Sequence, residues 1–168
     1  MSEIVNKVEQ SGLIQLDLEQ LYPMGKRVVI DLKEQLWEGL ALKEKDFRAW
    51  VKEHDWAQYA DAYVSVHCSS EAIIPTWAFM LVSVQLQPYA KLVSAGNKED
   101  LERTIFTGFV RDFDTTPYKD GRVIMKGCSK LPVPLNAYAE LTAKLTPVVK
   151  SLMFGEPCST VPLYKRKS

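Results

Sequence analysis

The sequence predicts an α/β fold: a mostly parallel sheet flanked by helices, with an approximate internal repeat of strand, cysteine turn and helix. Three observations carry this. Residues 64 to 91, VSVHCSSEAIIPTWAFMLVSVQLQPYAK, return 59 positions later as VIMKGCSKLPVPLNAYAELTAKLTPVVK. The alignment sets Val64 against Val123, Ser70 against Ser129, Pro75 against Pro134, Ala78 against Ala137, Phe79 against Tyr138 and Leu86 against Leu145, with Cys68 and Cys128 one residue out of step. From Ala62 onward, short apolar runs alternate with segments of helical spacing, the pattern of strands joined by helical crossovers. Finally, 168 residues, 46% of them hydrophobic and 25% charged, suit a single globular domain over 1–168 with a real core.

Taken in order, Leu13, Ile14, Leu16 and Leu18 partly alternate with Gln15 and Asp17, which predicts a half-buried edge strand ending near Tyr22-Pro23. RVVID at 27–31 is a second apolar run. Leu32, Leu36, Trp37 and Leu40 have helical spacing up to Gly39, a stop signal. Lys43 to Glu53 is a clearer helix, with Phe47, Trp50, Val51 and His54 on one face; His54 reads as a packed or capping histidine and Asp55 as the cap of a short turn. The alternation that follows is strand 62–66, helix 75–87, strand 91–95, helix 98–112, strand 122–126 and helix 134–146. Prolines 75 and 134 suit helix starts, Asn97 with Asp100 caps the helix at 98, and Leu101, Ile105, Phe109 and Phe113 form its apolar stripe. Pro147 is expected to break the last helix, so that 148–154 turns back and the Gly155 turn brings Cys158 to the rim carrying Cys68 and Cys128.

Composition excludes several classes. Lysine plus arginine equal aspartate plus glutamate at 21 each, so no net field gathers nucleic acid or an anionic membrane. The start lacks the pattern of a secretory signal, which points to a cytoplasmic location. Residues 72–90 carry no charge, yet Pro75, Ser83, Gln85, Gln87 and Pro88 interrupt them, so they read as a helix packed on several sides rather than a membrane span.

The candidate chemistry lies in three cysteine turns. Cys68, Cys128 and Cys158 are each followed by serine, and an odd cysteine count in a reducing compartment argues for free thiols. Loops at the carboxyl ends of parallel strands line the binding crevice of such sheets, and Cys68 and Cys128 fall there. Each precedes a helix N-terminus, which favours thiolate, and the adjacent serine can donate to sulfur. If the three turns meet, their sulfurs should lie within about 4 to 7 Å of one another. Cys68, Cys128 and Cys158 would then hold zinc or an iron–sulfur species, with His67 as the candidate fourth ligand, although His67 points opposite to Cys68 in an extended strand end. The run Val66-His67-Cys68-Ser69 resembles the opening of a cysteine-phosphatase loop, but Ile74 stands where the phosphate-clamping arginine belongs and no glycine cradle follows. Phosphate-loop, dinucleotide, zinc-protease and serine-hydrolase motifs are absent.

With KEKDFRAWVKEHDW, HCSSEAIIPTWAFML and VVKSLMFGEPCSTVPLYKRK in view, the chain resembles, over nearly its whole length, the bacterial family catalogued as domain of unknown function 2480. The resemblance brings no activity. It implies a setting near the SUF iron–sulfur assembly system, whose proteins become expected partners. Two readings follow: an accessory factor of cluster assembly with a three-cysteine site, or a non-catalytic interaction module with packed cysteines. In the second, Trp37, Trp56 and Tyr164 serve a homodimer or partner surface.

Overall fold

The computed structural model describes residues 12–127 and 130–168. In chain order its elements are β1 (Leu13–Asp17), β2 (Arg27–Asp31), α1 (Glu44–Glu53), β3 (Tyr63–His67), α2 (Thr76–Leu86), β4 (Leu92–Ala95), α3 (Lys98–Asp112), β5 (Arg122–Lys126), α4 (Leu135–Leu145), β6 (Ser151–Glu156) and β7 (Ser159–Lys165). The chain divides into two compact units. The central unit is Met24–Ile105; the terminal unit joins the residues up to Pro23 to Phe106–Ser168, so α3 begins in one and ends in the other.

The α/β class holds, with two mostly parallel sheets in place of one. The central sheet has strand order β2-β3-β4, all parallel, and the terminal sheet β1-β5-β6-β7, parallel except for β7. The expectation that strands 62–66 and 122–126 share a sheet is corrected here. Both edges of β3 are taken by β2 and β4, and both edges of β5 by β1 and β6, so neither has a hydrogen-bonding edge left for the other. The sequence contains two opening strands, LIQLD and RVVID, and each sheet takes one.

Within the two units the elements fall at matching positions. The first and last residues of β3 and β5 stand 59 apart, and so do those of α2 and α4. Register agrees: Val64 lies between Val28 and Val93, as Val123 lies between Ile14 and Leu152. Ala78, Val82 and Leu86 are buried in α2, and Ala137, Leu141 and Leu145 in α4, each set against its own sheet. Pro75 and Pro134 take the N-cap position of these helices with extended backbone. Asp55 accepts from the Ala57 N–H and Asp114 from the Thr116 N–H, each starting a 3₁₀ turn. Asp61 and Asp120, both in the left-handed region, lead into the two strands. Cys128 and Ser129 lie outside the described residues, so the second cysteine turn is not compared.

The cores follow from these patterns. Ile30, Leu32, Phe47, Val51, Val64, Val66 and the buried face of α2 pack together in the central unit. Leu16, Leu18, Val110, Val123, Met125, Leu141, Leu145 and Leu152 do so in the terminal unit. β3 is buried on both faces, as expected of the middle strand of a parallel sheet covered by helices. His54 caps α1, with its ring against Trp50, Trp56 and Tyr59 and its Nε2 2.8 Å from the Tyr59 hydroxyl. Asn97 and Asp100 exchange hydrogen bonds of 3.0 Å at the start of α3.

One local expectation is corrected. Residues 32–40 form one 3₁₀ turn, Leu32–Gln35, capped by Asp31; positive φ at Glu38 and Gly39 then turns the chain back so that Trp37 bridges Ala41. After α4, which ends at Leu145, the chain turns back as expected and forms β6 parallel to β5, then reverses into β7; that these segments are strands was not expected from the sequence. The free edge of β5 captures SLMFGE, a segment too short for strand periodicity to stand out.

Candidate functional site

Each unit has a cleft at the carboxyl end of its middle strand, between that strand and the following helix. The central cleft, about 410 Å³, is lined by Val66, His67, Cys68, Ala72, Ile74, Phe79, Ala95 and Gly96. The terminal cleft, about 850 Å³, is lined among others by Met125, Gly127, Leu131, Val133, Tyr138 and Phe154. Those six occupy the positions that Val66, Cys68, Ala72, Ile74, Phe79 and Ala95 hold in the central cleft. Both clefts stand where open α/β sheets bind ligands.

A carboxylate at the end of the opening strand, or two residues past it, pins the loop beside each cleft. In the central unit, Asp31 accepts from the Ser69 hydroxyl (2.6 Å), the Ser69 N–H (3.0 Å) and the Lys33 N–H (3.0 Å). Partial burial works against its charge, but these hydrogen bonds, led by the Ser69 hydroxyl, and the Lys33 ammonium hold its carboxyl below the ordinary carboxylate range. In the terminal unit, Glu19 accepts from the backbone N–H groups of Lys130 (2.7 Å) and Leu131 (3.0 Å). Ser69 therefore serves the carboxylate of Asp31, and the expected donation from this serine to a neighbouring sulfur is corrected.

The terminal cleft is the larger because of what replaces its counterparts. Gly127 stands at the position of Cys68, and a Cβ there would collide with the Tyr138 hydroxyl and lie 2.9 Å from its Cζ. Phe79, the counterpart of Tyr138, has no hydroxyl, and Cys68 fits beside it. With Tyr138 in this place, a side chain at residue 127 such as the cysteine of the central unit would clash with its ring. Tyr138 meets Phe154 edge to face, with centroids 6.0 Å apart. β7 adds Val161 and Leu163 as a further wall, and α4 adds Leu135, Ala139 and Thr142. Among the described residues, none of the lining side chains is charged. Leu135 is 85% exposed, Val161 58% and Leu163 48%, so the apolar wall faces solvent.

The cysteines expected to converge are distributed as follows. Cys68 is half-buried in the central cleft beside His67, its thiol 3.8 Å from the Ser70 carbonyl. Cys158 is exposed in the β6–β7 turn of the terminal unit, and Cys128 lies outside the described residues. Cys68 thus belongs to the central unit and Cys158 to the terminal unit. Among the described residues no group of three or more histidine, cysteine, aspartate or glutamate side chains is arranged to hold a metal ion. No described helix is long and apolar enough to cross a membrane. Sequence reasoning missed Leu131, Leu135, Val161 and Leu163. The signal for the last two was the apolar alternation in STVPLYK, which offers β7 side chains to one face of an edge strand.

No curated protein and no solved structure matches the chain. The family model described as "Protein of unknown function (DUF2480)" matches residues 2–166, and the chain belongs to that family.

Proposed function

We propose that the protein is a non-catalytic binding module whose working surface is the terminal cleft, taking apolar side chains of a polypeptide partner. The observation that carries this reading is the uncharged, solvent-facing wall of Leu131, Leu135, Val161 and Leu163 around a cleft of about 850 Å³. A soluble chain keeps such a patch when something covers it. A small-molecule site encloses most of its ligand, whereas this wall stands open along β7 and α4, the form of the apolar centre of a protein interface. Random peptides displayed on phage and selected on the full chain test it. Binders should carry two or more large apolar residues, perturb the methyl resonances of Leu131, Leu135, Val161 and Leu163, and lose at least about tenfold in affinity to Leu163→Glu. Binders that map elsewhere, or that bind this variant equally well, contradict it.

A metal-holding role is the second reading, favoured by Cys68 and His67 lining one cleft. Two donors are half of a tetrahedral zinc set, and an accessory part in iron–sulfur assembly, with Cys128 and Cys158 as further ligands, is the finer form of this reading. Metal analysis of protein purified without oxygen decides it. Zinc or iron near one per chain that is lost in Cys68→Ser supports the reading; trace metal unchanged by that substitution counts against it.

A further inference from the structure

At the opposite ends of β5 and β6 from the terminal cleft lies a separate pocket of about 400 Å³, lined by Arg122, Lys150, Ser151, Met153, Pro162, Tyr164 and Lys165. We propose that it binds a phosphate-type dianion carried by a soluble small molecule. Register builds the site. Arg122 is paired with Ser151 and Ser151 with Lys165, so a cation, a hydroxyl and a second cation occupy one row across three adjacent strands. Strands lie about 4.8 Å apart and directly opposed residues share a face, so both long side chains reach over the serine between them. Lys150 precedes β6 at the same end and adds a third cation, while no carboxylate is among the described lining residues. In a chain of zero formal net charge, that local concentration of positive charge suits a dianion, which Arg engages by paired hydrogen bonds and Lys as a point charge.

The matching positions of the central unit show that the fold does not require this lining. There Tyr63 stands in place of Arg122 and Leu92 in place of Ser151, and both pack with Leu101 and Ile105 into a small core. Where the central unit fills the space with its own side chains, the terminal unit leaves a pocket edged by cations and hydroxyls.

Amide resonances of the full chain, followed during titration with inorganic phosphate and with pyrophosphate against chloride at equal ionic strength, test the proposal. Saturable shifts of Arg122, Ser151 and Lys165 are expected with phosphate and not with chloride. Lys165→Ser, at an exposed strand end, should weaken binding about tenfold, and Lys165→Arg should retain it. Shifts equal to those in chloride, shifts elsewhere, or unchanged affinity in Lys165→Ser would overturn it. So would binding to phosphatidic acid vesicles without any response to soluble phosphate.

Discussion

Gly127 and Tyr138 show how one side chain sets the character of a site. A methyl group on Gly127 runs into the Tyr138 ring, so Gly127→Ala should destabilise the chain by about 1–3 kcal/mol, the usual cost of overpacking. Tyr138→Phe in the same chain should recover part of that loss, since it removes the colliding oxygen; chemical denaturation of the two single variants and the double variant measures the coupling. Strictly additive effects would show that the collision is relieved in some other way. Asp31 gives a pH-dependent counterpart. Its folded carboxyl titrates below the ordinary value of 3.8. Its contribution to stability is therefore complete above that value and is lost as pH falls through the lower folded value. Asp31→Asn should lower stability at pH 7, and the gap from the parent chain should narrow below about pH 4. A gap that is constant from pH 7 to pH 3 would remove Asp31's charge from the account. Neither residue was legible beforehand as part of a site, because glycine signals only a tight place and the serine that meets Asp31 lies 38 positions away.

At the scale of elements, the 59-residue spacing was legible, and the elements stand where it puts them. Buried Ala, Val or Leu at Ala78, Val82 and Leu86 recur at Ala137, Leu141 and Leu145 because each helix covers a three-strand row of the same kind. Leu141 is fully buried among Leu145, Leu152 and Val123. Leu141→Ala should thus cost about 2–5 kcal/mol, seen as a lower denaturation midpoint with unchanged helical content at low denaturant. A loss under about 1 kcal/mol would mean that α4 is packed more loosely than its burial implies. What the repeat could not tell was which strands pair. Periodicity reports which face of a strand is buried, and it is silent on whose edge the strand joins. LIQLD and RVVID look alike, and only the tertiary pairing sends one to β5 and the other to β3. β6 and β7 escaped for a related reason: the turn back at Pro147 was legible, but not that the segment after it pairs with β5 and completes the sheet.

For the whole molecule, the balance of 21 cations and 21 anions hides an uneven distribution. The terminal unit has an uncharged apolar cleft at one end of its parallel strands and a cation-lined pocket at the other. Cys68 occupies a place that Gly127 fills in the terminal unit. The central claim is that the terminal cleft is a binding surface for apolar polypeptide side chains. Its most direct measurement is the affinity of a selected peptide for the parent chain and for Leu163→Glu, with folding of both verified by amide spectra. The account predicts a loss of at least about tenfold with the fold intact; equal affinity in a folded variant would contradict it.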